Sequence, residues 1–173
     1  GLRAAARRRA AAGLLAASAL TGALAGHSPR ALAQELQMKR APSGLKYSDV
    51  KEGSGDPPTP GTTVTIDYVM ATTGSRQGID KLDSTKEREE PFTFRLGDPT
   101  VIAGLQEAVS GMRAGGVRRV IVPESLGYTD LSKRPVPPSF DRLQRFRVIY
   151  QNPNRMRQPD LIFDVKLFTF QSR

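Results

Sequence analysis

The 173-residue sequence contains no cysteine and no tryptophan, and its one histidine is His27. Disulfides, cysteine-ligated zinc, iron–sulfur clusters and thiol nucleophiles are thereby excluded, and a metal site would have to be built almost wholly from carboxylates. Long apolar runs are missing too, since no stretch reaches the roughly 20 uninterrupted apolar residues of a membrane span. Acids are scarce beside bases, 17 against 26, for a formal charge of +9. Such a balance points first to an anionic partner. With 38% hydrophobic residues, the chain can form one ordinary domain with some length to spare.

The charge is unevenly placed. Residues 1–33 hold no acid but five arginines, Arg3, Arg7, Arg8, Arg9 and Arg30. The basic cluster precedes an Ala-rich run from Ala10 to Ala25, and Ala31-Leu32-Ala33 offers small residues at both positions of an export cleavage site. Paired arginines ahead of a weakly hydrophobic core resemble a twin-arginine export signal. An amphipathic surface helix is the competing reading, and the lack of a polar face beyond Ser18 and Thr21 argues against it. Cleavage after Ala33 leaves a chain with a charge of +4 and no histidine, which excludes mechanisms needing an imidazole. A longer precursor with an organelle transit segment upstream is the corresponding expectation.

Residues 34–43 are polar and read as a linker. Leu45–Val50 reads as a strand, followed by the turn-rich stretch from Gly53 to Gly61. Val64, Ile66, Tyr68 and Met70 alternate with Thr65, Asp67 and Val69, the period of a half-buried strand, and Phe92–Leu96 alternates likewise. Val101–Met112 reads as a helix, with Ile102, Leu105, Val109 and Met112 on one face, Thr100 as cap and Gly111 or Gly115 as stop. Val117–Val122 and Leu161–Phe170 read as further strands. Antiparallel strands around one amphipathic helix predict an α+β domain.

Three ordered blocks carry a resemblance. They are Val50-Lys51-Glu52-Gly53-Ser54-Gly55 leading to Pro60-Gly61 and Tyr68; Leu82-Asp83-Ser84-Thr85 through Arg88 to Pro91–Gly97 and Val101–Leu105; and Gly115 through Val122–Tyr128, closed by Leu161–Leu167. Over residues 43–170 the chain resembles the FKBP-type peptidyl-prolyl cis-trans isomerases. The resemblance implies an antiparallel half-barrel sheet wrapped around one short helix in a domain spanning 44–173. It implies an isomerase of X-Pro bonds that uses no cofactor and no metal, with proline-containing polypeptides as substrates. The implied catalytic residues are Tyr68, Asp83 and Tyr128, with Arg88 in support. Leu82, Phe92, Val101, Ile102, Leu105 and Phe163 would line the substrate pocket, and the Ile102 N–H with the Tyr128 hydroxyl would hold substrate carbonyls. Taken singly, Phe92 and Phe163 read as ordinary core aromatics, Asp83 as a turn residue or helix cap and Tyr128 as a loop residue.

The chain departs from the family pattern in three ways. Leu105 and Leu82 stand where active members carry tryptophan and phenylalanine, and Thr129 replaces a glycine. Between about 132 and 160 lies an Arg-rich insertion that begins with Pro135-Val136-Pro137-Pro138. Within it Phe146–Tyr150 has strand character and Gln151–Asn154 reads as a turn. The insertion resembles that of plant and algal thylakoid-lumen members, which agrees with the twin-arginine signal. The bacterial periplasm is the alternative destination. The alternative function is a catalytically weak assembly or auxiliary factor that docks on a photosynthetic membrane complex through Arg142, Arg145 and Arg147. Nucleic-acid binding is disfavoured, because the aromatics sit in core-like alternation and five of the charges belong to the signal.

Overall fold

The computed structural model describes residues 37–75, 78–154 and 158–171. The signal with its cleavage point, residues 34–36 of the linker, and Arg155 and Arg157 of the insertion lie outside the described residues.

The strands are β1 (Lys39–Arg40), β2 (Lys46–Lys51), β3 (Thr63–Ser75), β4 (Gly78–Ser84), β5 (Phe92–Arg95), β6 (Val117–Val122) and β7 (Leu161–Gln171); the helices are α1 (Ala103–Ser110) and α2 (Phe140–Tyr150). One antiparallel sheet has the order β1-β2-β6-β7-β3-β4, and β5 also pairs with β3. Val64, Ile66, Tyr68 and Met70 of β3 and Phe163, Val165 and Leu167 of β7 are buried on the face that meets Leu105, Ala108 and Val109 of α1 in one core. The period-two reading of these strands thus fixes which side chains point to the helix.

β3 exchanges β5 for β4 as its edge partner midway along its length, which leaves backbone groups at the corner in need of partners. Thr85 supplies them. Its hydroxyl accepts from the Tyr68 N–H at 2.8 Å and lies 2.8 Å from the Asp67 carboxylate, while its own N–H donates to the Tyr68 carbonyl at 3.1 Å. This corner fixes Tyr68 beside the residues that follow β4.

Close approach sets the seat of α1. A Cβ on Gly104 would stand 2.5 Å from the Cγ1 of Val122. The branched Val122 cannot swing away from its backbone, so Gly104→Ala should destabilise the domain by about 2 kcal/mol. A urea titration checks this, and an unchanged midpoint would contradict the seating.

Four expectations need correction. Phe146–Tyr150 belongs to helix α2 and not to a strand. Leu143, Phe146, Ile149 and Tyr150 recur at helical spacing, and that period overrides the β-preference of Phe, Val, Ile and Tyr. α1 is shorter than Val101–Met112, and Thr100 does not cap it. Ile102 is the N-cap residue, and the Thr100 hydroxyl donates to Asp98 Oδ1 at 2.7 Å. The stretch read as linker contributes β1, with Lys39 opposite Tyr47 and Arg40 opposite Lys46. Gly78–Ser84, for which the sequence predicted no element, is a strand.

Candidate active site

Leu82 and Asp83 come from the end of β4, Arg88 from the turn after it, Phe92 from β5, Tyr68 from β3, Phe163 from β7, and Val101, Ile102 and Leu105 from the start of α1. The fold brings them together under Tyr128, which follows a short 3-10 turn, Glu124–Leu126. The Tyr68 ring meets Phe163 edge-on at 5.5 Å and Phe92 edge-on at 6.1 Å. Such edge-to-face pairs fix ring planes as well as bury area.

The polar part is a triad. The Tyr68 hydroxyl donates to Asp83 Oδ2 at 2.7 Å, and Arg88 Nη1 donates to the same oxygen at 2.6 Å. Arg88 Nη2 lies 3.3 Å from the Tyr68 hydroxyl, with its guanidinium carbon 5.6 Å from the ring centroid. Asp83 is buried, so its charge is sustained by these two charge-compatible donors rather than by water. Burial and the Asp83 bond push the Tyr68 hydroxyl far above its ordinary value, and burial does the same for Tyr128. Both hydroxyls are therefore lasting donors. Among the described residues no cluster of carboxylates and imidazoles could hold a metal ion.

The two groups expected to hold substrate carbonyls, the Ile102 N–H and the Tyr128 hydroxyl, are both engaged. Ile102 N–H donates to the Arg134 carbonyl at 3.0 Å, and the Tyr128 hydroxyl donates to the Pro135 carbonyl. Arg134 N–H in turn donates to the Thr100 carbonyl at 2.7 Å, which makes a one-residue parallel bridge between Arg134 and Val101. Pro135 and Pro137 are buried. Relative exposure is 0% for Ile102 and Leu105, 1% for Val101 and Leu82 and 3% for Tyr128. The pocket walls are thus covered, and only Phe92 of the aromatic lining is partly exposed.

Helix α2 supplies the outer cover. Phe146 is fully buried, with its ring edge-on to Tyr128 at 4.6 Å and tilted against Tyr150 at 5.4 Å. The Tyr150 hydroxyl donates to the Thr72 hydroxyl at 2.7 Å, which ties the helix end to β3. Of the arginines expected to face a partner, Arg142 pairs with Glu87 at 3.6 Å and Arg145 pairs with Asp80, both within the chain. Arg147 is exposed.

Sequence reasoning missed Phe146, Tyr150 and the Arg134–Pro137 strap. The helical spacing of the insertion's apolar residues would have found the first two. No side-chain pattern marks the strap, whose contacts run through main-chain carbonyls.

Among the described residues no helix is long and apolar enough to cross a membrane. Residues 55–168 match the family of FKBP-type peptidyl-prolyl cis-trans isomerases. Over 137 residues, 72% of this chain and 58% of the relative, the sequence is 38% identical to peptidyl-prolyl cis-trans isomerase FKBP17-1, chloroplastic, of Arabidopsis thaliana. It is 36% identical to the chloroplastic FKBP19 of the same plant, over 72% of this chain and 52% of that one. The chain therefore spans little more than half the length of these relatives. The fold resembles the crystal structure of FkpA from Escherichia coli, with a TM-score of 0.58 at 25% identity over 82% of this chain and 55% of that one. It also resembles the crystal structure of AtFKBP13, with a TM-score of 0.56 at 24% identity over 78% of this chain and 99% of that one. The ordered motifs, the sheet wrapped over α1 and the match across residues 55–168 together place this chain in the FKBP-type peptidyl-prolyl cis-trans isomerase family.

Proposed function

We propose that this chain is a peptidyl-prolyl cis-trans isomerase acting on X-Pro bonds. The observation that carries the reading is the convergence of the Ile102 N–H and the Tyr128 hydroxyl on the carbonyls of two successive residues, Arg134 and Pro135, of a prolyl segment. A site that seats one such segment has the donors and the apolar surround to seat another.

Rotation about an X-Pro bond must break amide resonance across a barrier of about 18 to 20 kcal/mol, and no bond to the enzyme forms or breaks. The task is to favour the twisted amide over the planar one. The planar form carries more charge separation and loses more on leaving water, so a dry pocket lowers the barrier. Val101, Ile102, Leu105, Phe92 and Phe163 provide that pocket, and Leu82 closes it beside Asp83. The Ile102 N–H and Tyr128 hydroxyl hold the flanking carbonyls. Asp83, kept in place by Tyr68 and Arg88, supplies a fixed charge near the rotating carbonyl.

The test is exchange of an X-Pro peptide, measured by magnetisation transfer with and without residues 34–173. Acceleration is expected, and an exchange rate equal to buffer alone would sink the assignment. The rate constant should also vary by less than about twofold between pH 6 and 9, because residues 34–173 contain no histidine and the raised Tyr128 stays protonated throughout. Loss of the donor begins only above the ordinary tyrosine value of about 10. An inflection near pH 7 would mean that another group carries the chemistry.

The relatives' names and the twin-arginine pattern support delivery to the chloroplast and, more narrowly, to the thylakoid lumen. There the substrates would be lumenal polypeptides. The covered pocket and the leucines at 82 and 105 favour a second reading, a catalytically weak auxiliary factor that docks on a photosynthetic membrane complex. Among the described residues, Arg142 and Arg145 form intramolecular salt bridges and Arg147 forms none. Comigration with a large complex on native gels, lost in Arg147→Glu, would support that reading.

A further inference from the structure

We propose that the insertion is an internal inhibitor: the Arg134–Pro137 strap occupies the substrate groove and α2 clamps it there, so that the site works only when α2 lifts from β4. This rests on the reading of Ile102 and Tyr128 as the substrate-holding donors.

A backbone N–H and a phenol hydroxyl each have one proton to donate. With those protons on the Arg134 and Pro135 carbonyls, neither can serve an incoming peptide. Nor is there apolar wall left to bury against, because Val101, Ile102, Leu105 and Leu82 are already covered. Occupant and substrate therefore exclude each other. The occupant also has the right chemistry, Pro-Val-Pro with both proline rings buried.

The clamp has an apolar part and a charged part. Phe146 meets Tyr128 edge-on and Tyr150 packs tilted against it on the inner side. On the outer side, Arg142 reaches Glu87 and Arg145 reaches Asp80, which tethers α2 to β4 and the turn beyond it. The arginine side chains are about half exposed, 43% for Arg142 and 52% for Arg145. Neutralising them removes the tether without opening the core. With a half-exposed arginine in each pair, the tether is also screened by salt. The apparent affinity for substrate equals the intrinsic affinity scaled by the fraction of molecules with α2 lifted. Any change that raises that fraction tightens binding by the same factor.

The test uses the full chain, an Ala-Leu-Pro-Phe peptide as probe, and two variants. Arg142→Gln/Arg145→Gln alters only exposed side chains, and Phe146→Ala, checked by a cooperative melt, removes the ring against Tyr128. The double variant should bind the probe roughly three- to tenfold more tightly than wild type, with the Ile102 amide exchanging with solvent faster by a similar factor. Wild type should approach the double variant in about 0.5 M salt, and the double variant should respond little. Phe146→Ala should exceed both. Equal probe affinity and equal Ile102 protection in wild type and the double variant would overturn the proposal. If the variant binds more tightly but does not accelerate peptide exchange, the internal inhibitor stands and the isomerase reading falls. If wild type accelerates exchange and the variant neither binds nor turns over faster, the isomerase reading stands and the inhibitor falls.

Discussion

Arg118→Met should lower the unfolding free energy by about 3 kcal/mol, while Arg119→Met, one residue along the same strand, should cost less than about 1 kcal/mol. Both arginines pair with a carboxylate at short range, and burial separates them. The Arg118 side chain is 10% exposed, and its Nε donates to Asp49 at 2.6 Å. Its Nη1 and Nη2 donate to the Ala108 and Gly111 carbonyls at 2.9 and 3.1 Å. Those carbonyls lie at the C-terminal end of α1, which has no basic residue of its own in its last turn. A helix leaves its last carbonyls unpaired and carries partial negative charge there, so a guanidinium brought across from β6 satisfies both needs. The arginine plane also lies over Tyr47, 4.6 Å from the centroid. Methionine keeps the stem packing but strands two carbonyls and leaves Asp49 with the longer contact to Lys39 at 3.7 Å. Arg119, by contrast, holds Asp164 through two bonds of 2.5 and 2.6 Å on the outer face with 41% of its side chain exposed, where water replaces the partner at little cost. Thermal melts of the two variants should differ by roughly 6 to 10 °C for a domain of this size. Equal melts would mean that the buried arginine does not support α1.

The second large effect concerns activity. Tyr128→Phe removes the hydroxyl that holds Pro135 and, in the proposed reaction, a substrate carbonyl. In the Arg142→Gln/Arg145→Gln background, with the groove more often open, kcat/KM should fall about tenfold, the worth of one hydrogen bond in a dry site. In the wild-type background the fall should be smaller, about threefold or less, because losing the hydroxyl weakens occupant and substrate alike. That difference between backgrounds is a coupling that no purely structural role for Tyr128 would produce. Equal losses in both backgrounds would mean that the strap does not compete with substrate.

Much of this domain is legible in its sequence because sheet and helix periods are local properties. Alternation of Val64, Ile66, Tyr68 and Met70 sets the inner face of β3, and the same logic places Phe163 and Val165 on β7. The Tyr68–Asp83–Arg88 grouping came from the family resemblance, and the structure brings the three side chains within hydrogen-bond reach of one another. What could not be read depends on distant partners. Arg118 looks like a solvated strand residue until Asp49, 69 positions earlier in the chain, and the end of α1 are brought beside it. The Phe146–Tyr150 stretch is a different case: its residues are strand-forming, but their helical spacing with Leu143 was a local signal that composition outweighed. The strap was illegible for a further reason: its contacts with Ile102 and Tyr128 use main-chain carbonyls, which every residue carries.

The measurement bearing most directly on the proposed function is cis-trans exchange of a single X-Pro peptide, followed by magnetisation transfer in the presence of wild type and of Arg142→Gln/Arg145→Gln at equal concentration. Acceleration by both, greater with the variant, is the expected result. Exchange at the buffer rate with both proteins would contradict the isomerase assignment.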